Sequence, residues 1–489
     1  MFVLALRTDA SFTYPRFPQD GTIVHLDPIS EVAARALLRN ELKAGANQEL
    51  VEKFTRLAAG VPLNLVQLIE YAKTKRTLTL EEANEWLADA GDVRGVIEQR
   101  LFDQPATVRN VLALLSALGS EVETSRVVAL SSSAWDPESA LQAAYEQGIV
   151  EVIDYESDDP TVRFASPAFR EVVYRQLSSK ARKKIHGKVA VYYSERVQAA
   201  GANPSQRDLA NLVEHLCATE KYKEGFANLL NLIDRALKAC DFKIAIQHID
   251  HAVRLVRDND AGSVEDEAVL CLKRVRANEA IGNLKVALDE VRGLERIGEI
   301  SELLRLEIRL ELIRLWLLEE DPDLVERVVK KALQEIRLLD GQHNSPETTV
   351  MLIRALQLMT EVQEKQGRLP HAAQSAIEAV DIAERRKVKP EANGYGPSVV
   401  WGPLNQLGRV RIRSGEFDSA ARMFELALRV TDQSDDKRGD LTIRGNIAAL
   451  LQAQDKLDAA YRTIQHALKT ARQITDLRSV AKLEHNRAL

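Results

Sequence analysis

Apolar residues at the start of the chain run together without alternation, Phe2-Val3-Leu4-Ala5-Leu6, and end at Arg7. An unbroken apolar run of this length predicts a strand covered on both faces. After a polar loop with Pro15 and Pro18, residues 22–26 offer a second short strand. From Ser30 onward the period becomes helical. Ser30 caps a helix through about 42, a second helix covers about 48–59 and stops at Gly60, and Pro62 opens a third. The third carries a broad apolar face of Leu63, Leu65, Val66, Leu68 and Ile69, and a shorter helix follows over about 79–88. Helices at about 105–118, 123–130 and 137–147 then precede two short strands, about 149–153 and 162–164, on either side of a turn at 156–160. Three helices followed by a β-hairpin is the order of a winged helix. Residues 166–200 are helical again, with a basic stretch of Lys180, Arg182, Lys183, Lys184 and Lys188.

From about 206 the chain is helix after helix, and it repeats. Phe417, Ala420, Phe424 and Ala427 recur as Leu457, Ala460, Ile464 and Ala467, and as Leu369, Ala372, Ala376 and Ala379. Weaker copies carry Leu284, Ala287 and Val291, and Phe242, Ala245, Ile249 and Ala252. Small residues at fixed positions let two helices approach closely, and the larger ones fill the space between. A helix pair that cannot bury its own face must stack on its neighbours. With the preceding Leu404, Leu407, Gly408 and Gly415, the best copy is similar to the tetratricopeptide repeat at nearly every signature position, with Arg411 in place of the usual tyrosine.

Composition narrows the class. The 489 residues are 45% hydrophobic and 28% charged, with 5% aromatics, which places the chain among ordinary globular proteins rich in helix. A net charge of −6 from 66 basic and 72 acidic residues gives no bulk affinity for nucleic acid. Three cysteines, none in a CxxC, fit a reducing compartment and exclude a disulfide scaffold. No apolar run approaches a membrane span, so the expectation is a cytoplasmic protein with no membrane partner.

The N-terminal half resembles the later part of signal-transduction ATPases with numerous domains (STAND), the AAA+-like proteins joined to cyclases, kinases or large bacterial transcriptional activators. The resemblance rests on four segments. Val3 to Arg7 is similar to the strand ending in a sensor arginine, and Ile23 to Ser30 to the entry of the helical lid. Gly60-Val61-Pro62 is similar to the Gly-x-Pro motif, whose proline lies near adenine in that family. Arg163 to Tyr174, with Arg182 to Ala190, resembles the end of the winged helix and the helix after it. The resemblance implies a mainly α fold: a remnant of the AAA+-like core (1–28), a helical lid (29–103), a winged helix (104–178), connecting helices (179–205) and a tetratricopeptide superhelix (206–489). It also implies Arg7, Gly60 and Pro62 as nucleotide contacts.

The GxxxxGK[ST] loop and the strand ending in paired acids are missing from the sequence. This chain therefore carries no phosphate cradle of its own, and ATP with Mg²⁺ is expected only if the loop is supplied elsewhere. The chain reads as a piece, or a degenerate version, of a longer architecture. The favoured function is a non-catalytic sensor and scaffold that binds a protein or small ligand through the repeats, with a cyclase, kinase or transcription effector attached. Alternating first-helix positions of a tetratricopeptide pair line the groove; in the best copy these are Asn405, Arg409 and Arg413, and arginines there suit carboxylates of a partner. Two alternatives are an ATP-dependent switch with its P-loop on a missing or separate chain, and a transcriptional regulator. Against the last, and against nucleic acid as a partner, residues 137–147 contain no Lys or Arg. His248 and His251 have a metal-ligand spacing but no matched third ligand, so no metal site is assigned.

Overall fold

The computed structural model describes residues 28–42, 47–77, 79–90, 92–131, 136–154, 157–201, 203–318, 321–388, 398–473, 480, 483 and 484. The two N-terminal strands expected from the sequence lie outside these residues, as does Arg7. The chain divides into two compact units, one ending at Val189 and one starting at Ala190. Among the described residues the secondary structure is 23 α-helices and three short strands.

The first unit opens with five helices: α1 (Glu31–Glu41), α2 (Gln48–Ala58), α3 (Pro62–Lys75), α4 (Leu80–Ala90) and α5 (Val93–Phe102). Side chains stop the orphan N–H groups at their starts: Ser30 accepts from Ala33, Asn47 from Glu49 and Asp92 from Gly95. Their apolar faces meet in a core of Leu38, Leu50, Phe54, Leu65, Leu68 and Tyr71. Trp86 sits edge-on to Tyr71, with centroids 5.0 Å apart, and its indole N–H donates to Thr77 at 3.2 Å. The sequence reading left out α5.

A mixed module follows: α6 (Ala106–Leu118), β1 (Glu121–Glu123), α7 (Thr124–Leu130), α8 (Pro137–Glu146), β2 (Val150–Ile153) and β3 (Thr161–Phe164). The sheet is antiparallel in the order β1-β3-β2, with Val162 opposite both Val122 and Val152. Val162 and Phe164 point into the core. Between them, Arg163 faces out and pairs with Glu121 on one side (3.5 Å) and Glu151 on the other (3.0 Å), a charge ladder across all three strands. Helices α9 (Pro167–Gln176) and α10 (Ser179–Ala199) come next.

The second unit is built of α11 (Gln206–Ala218), α12 (Tyr222–Lys238), α13 (Phe242–Asn259), α14 (Val264–Ala280), α15 (Leu284–Leu294), α16 (Glu302–Trp316), α17 (Pro322–His343), α18 (Pro346–Lys365), α19 (Leu369–Arg385), α20 (Ser398–Arg413), α21 (Phe417–Ser434), α22 (Lys437–Ala453) and α23 (Leu457–Gln473). From α12 to α23 they form six antiparallel pairs, and in five of them the second helix (α13, α15, α19, α21 and α23) carries the repeat signature. The alanines of that signature, Ala245, Ala287, Ala372, Ala420 and Ala427 among them, are fully buried. In the best pair the ring of Phe424 lies against Gly408; a Cβ there would stand 2.6 Å from the ring. The two helices are therefore as close as an aromatic ring on bare backbone permits.

Five of the turns inside the pairs share one feature. The residue two before the second helix is left-handed: Cys240 (φ 58°), Gly282 (89°), Gly367 (75°), Gly415 (79°) and Asp455 (59°). Cys240 thus belongs to a turn, whereas Cys271 is buried in the core of the first pairs. Arg411, which replaces the signature tyrosine, donates to Glu416 in the same turn at 2.6 Å.

First helices of successive pairs touch one another, α14 with α16, α16 with α18, α18 with α20 and α20 with α22; second helices make no contacts of that extent. Helices α14, α16, α18, α20 and α22 therefore form one continuous wall. Arg438 at the start of α22 lies 5.1 Å from the ring of Phe242 at the start of α13, so the sixth pair comes back to the first.

Phe424→Ala is expected to lower stability by ~3–5 kcal/mol through the cavity it leaves. Gly408→Ala is expected to cost ~1–3 kcal/mol by forcing the ring away. Urea unfolding of both variants checks the close approach: an unaffected Gly408→Ala midpoint would show that the helices stand further apart.

Candidate functional site

In the first unit, the Gly-x-Pro segment closes a turn. Ala59 and Gly60 are both left-handed (φ 49° and 73°), and Ile29 N–H donates to Gly60 O at 2.8 Å. A Cβ on Gly60 would stand 2.7 Å from Pro28 Cβ, so both its φ and its surroundings require glycine. Pro62 is the first residue of α3 and is exposed, at a position where the missing N–H costs nothing. Both residues thus have a part in the local fold.

The sequence reading missed Arg100, which is nearly fully buried. Its guanidinium donates to Gln67 of α3 and to Gln147 O at the end of α8 (2.5 Å), and it lies over the Phe169 ring of α9. Burial pushes its pKa down from the ordinary value, yet an arginine stays charged, so these acceptors are what makes it tolerable inside. It ties the five-helix bundle to the mixed module. A second buried polar contact joins Tyr174 Oη and His186 Nε2 at 2.9 Å, and burial lowers the His186 pKa, reinforced by Arg182.

The wall of first helices in the second unit holds the densest chemistry. Glu311 of α16 is 1% exposed. Three guanidinium groups surround its carboxylate: Arg314 from its own helix (3.0 Å), Arg276 from α14 (3.2 Å) and Arg354 from α18 (3.1 Å). Arg276 and Arg354 also reach Glu307, at 2.8 and 3.5 Å, and Arg314 reaches Glu279 at 2.5 Å. Three carboxylates and three guanidinium groups, drawn from three successive first helices, thus neutralise one another. Burial alone would raise the Glu311 pKa; the charges of Arg314, Arg276 and Arg354 outweigh it and hold the carboxyl well below the usual range.

Beyond this hub the wall opens into a hollow of about 410 Å³ between α14, α16, α18 and α20. Two of the three sequence-predicted groove residues line it. Arg409 donates to Glu364 at 2.6 Å, and Arg413 donates to Glu364 O at 2.6 Å. Asn405 does not: it is buried at 4% exposure and accepts from Asn446 of α22 at 2.8 Å, so it joins two first helices. Arg409 and Arg413 are therefore not bare donors, because Glu364, its side chain 9% exposed, already stands between them. Sequence reasoning also missed Glu279, Arg314, Glu361, Glu364 and Lys365, which share the hollow. Their signal was available in principle: Glu361–Lys365 and Arg409–Arg413 each stand four apart on a first helix, and hence on one face.

Neither a protein-family model nor a curated protein sequence matches the chain. Among solved structures, it is similar to a STAND protein with a tetratricopeptide repeat sensor from Pyrococcus horikoshii, at 15% identity and TM-score 0.47 over 95% of this chain. The chain spans 63% of the length of that structure. It is also similar to a Rap protein complexed with Competence and Sporulation Factor, at 13% identity and TM-score 0.38, covering 66% of this chain and 91% of the other. The Rap conjugation gene regulator of a plasmid, in complex with a peptide, is similar at 12% identity and TM-score 0.42 over 62% of this chain and 95% of that one. No helix among the described residues is long and apolar enough to cross a membrane.

Glu311→Ala is expected to cost ~3–5 kcal/mol, because it strands buried guanidinium groups. The pH dependence follows from the sign of the shift. With the folded pKa below the unfolded value of 4.5, the stabilisation is complete above pH 4.5 and is lost as pH falls through the acid range. Glu311→Gln is expected to unfold more readily at neutral pH and to show a shallower loss between pH 5 and 3 (~1–2 pH units either side of the ordinary carboxylate range). Urea midpoints measured across that range check both; parallel curves for wild type and Gln variant would contradict the assignment.

Proposed function

We propose that the second unit is a non-catalytic scaffold that binds a protein or peptide partner on its wall of first helices, as the sensor portion of a STAND-type signalling protein. The observation that carries this reading is the hollow on that wall. Seven of its nine lining residues are charged and come from four first helices, and part of that charge is exposed beyond what the helix contacts need. Helical solenoids present such faces to partners because stacking leaves one side continuous and accessible.

In this reading the five-helix bundle is the lid, and α6 to β3 is a winged helix acting as a connecting module. Support comes from the helix–strand order and from the sheet order β1-β3-β2. The chain's own part is to bind. ATP and Mg²⁺ would enter through a phosphate-binding loop on another segment, and a cyclase, kinase or transcriptional effector would act on the signal. The cytoplasm is the proposed location.

A random twelve-residue peptide library panned on the full chain, followed by hydrogen exchange on the selected complexes, tests this. Affinities on the order of micromolar are expected, equivalent to about −8 kcal/mol. Protection is expected on α14, α16, α18 and α20. Protection confined to second helices such as α17, α19 and α21, or no selected peptide at all, would overturn the reading.

A further inference from the structure

We propose that the hollow recognises a mixed-charge peptide segment, one in which a basic side chain stands beside a carboxylate. This deepens the reading of the first-helix wall as a docking surface and rests on it.

The argument starts from which charges are already spent. Glu364 is 9% exposed and receives Arg409 at 2.6 Å, while Arg413 donates to its backbone oxygen. Those bonds bind α20 to α18. Two groups at the rim, Glu361 and the remaining N–H groups of Arg413, keep exposed charge. The Glu361 side chain is 37% exposed and stands 3.8 Å from Arg409, outside hydrogen-bond distance. The Arg413 side chain is 46% exposed and stands 3.7 Å from the Glu364 carboxylate. Lys365, also exposed, lies one helical turn from Glu361 on α18, with its ammonium directed to Leu317 O. The rim therefore has a negative pole at Glu361 and a positive one at Arg413 and Lys365. Leu318, 47% exposed, supplies a small apolar shelf beside them.

This charge pattern discriminates. A purely acidic ligand meets Arg413 and Lys365 but also faces Glu361, Glu364 and Glu279. A purely basic one meets Glu361 but faces four cations: Arg314, Lys365, Arg409 and Arg413. Only a ligand carrying both signs side by side satisfies both poles without leaving a like charge opposed, and like-charge opposition is what gives an interface its selectivity.

The probes are fluorescein-labelled hexapeptides, KEKEKE, KKKKKK and EEEEEE, titrated by anisotropy into the full chain at low salt, where such contacts are least screened. KEKEKE is expected to bind at least about tenfold more tightly than either homopolymer. Glu361→Gln and Arg413→Gln should each weaken KEKEKE about fivefold to tenfold. They should also act in opposite directions on the homopolymers: Glu361→Gln strengthens EEEEEE and Arg413→Gln strengthens KKKKKK, a reversal that a folding defect does not produce. Equal binding of a homopolymer and KEKEKE, or variants without effect on KEKEKE, overturns the proposal. If hydrogen exchange still shows the library-selected peptides protecting the first helices, the docking surface stands and only its charge rule falls; if no peptide protects them, both fall.

Discussion

A carboxylate with 1% exposure has to be matched where it sits, and the arrangement of the second unit follows from how Glu311 is matched. Its three guanidinium partners come from α14, α16 and α18. A hydrophobic residue of similar size could fill the same space at equal or greater stability, since desolvating ions is expensive. What the ions add is register. If α16 slid by one turn against either neighbour, a guanidinium or the carboxylate would be left buried without its partner. Apolar side chains would tolerate that slip far better. The hub therefore fixes three pairs along the wall at once.

The opposite side of each pair is held by a different constraint. Ala420, Phe424 and Ala427, and their counterparts in the other second helices, set a spacing that only small residues permit, with Gly408 as the extreme case. Close packing thus sets the spacing within a pair, while the buried charges of the hub set the register of successive pairs along the wall. Only wall positions outside the hub can vary in chemistry without loss of that register.

It also explains what could be read from the sequence. The repeat signature is steric and local, so Gly415 to Ala427 and its copies are visible as a pattern. The wall is neither. Arg409 and Arg413 can be placed on one face by spacing, but their partner Glu364 lies one pair earlier, with nothing in the intervening residues to mark it. Glu311 is hidden for another reason. Helix α16, Glu302–Trp316, alternates apolar and charged residues almost all round, so no single stripe stands out. Strand β1 has one apolar residue among three and exists because β3, some forty residues later, pairs with it. In α5 the apolar positions are interrupted by Arg100, whose burial depends on Gln67 and Gln147 O from other elements.

The two halves of the chain treat their candidate residues differently, and the difference bears on function. Gly60 is held by its own φ and by Pro28 and Ile29, and Pro62 opens α3, so both have a part in the local fold. On the wall, charge remains beyond what holds the helices. Arg276, Glu311 and Glu364 are consumed in holding helices together, but Glu361 stands 3.8 Å from Arg409 with a 37% exposed side chain, and Arg413 donates one N–H to Glu364 O while its side chain stays 46% exposed. A charge oriented by its neighbours with hydrogen-bonding capacity left over can still be satisfied from outside. That is the condition under which a pre-formed surface binds well, because the ordering of its side chains precedes the arrival of the partner.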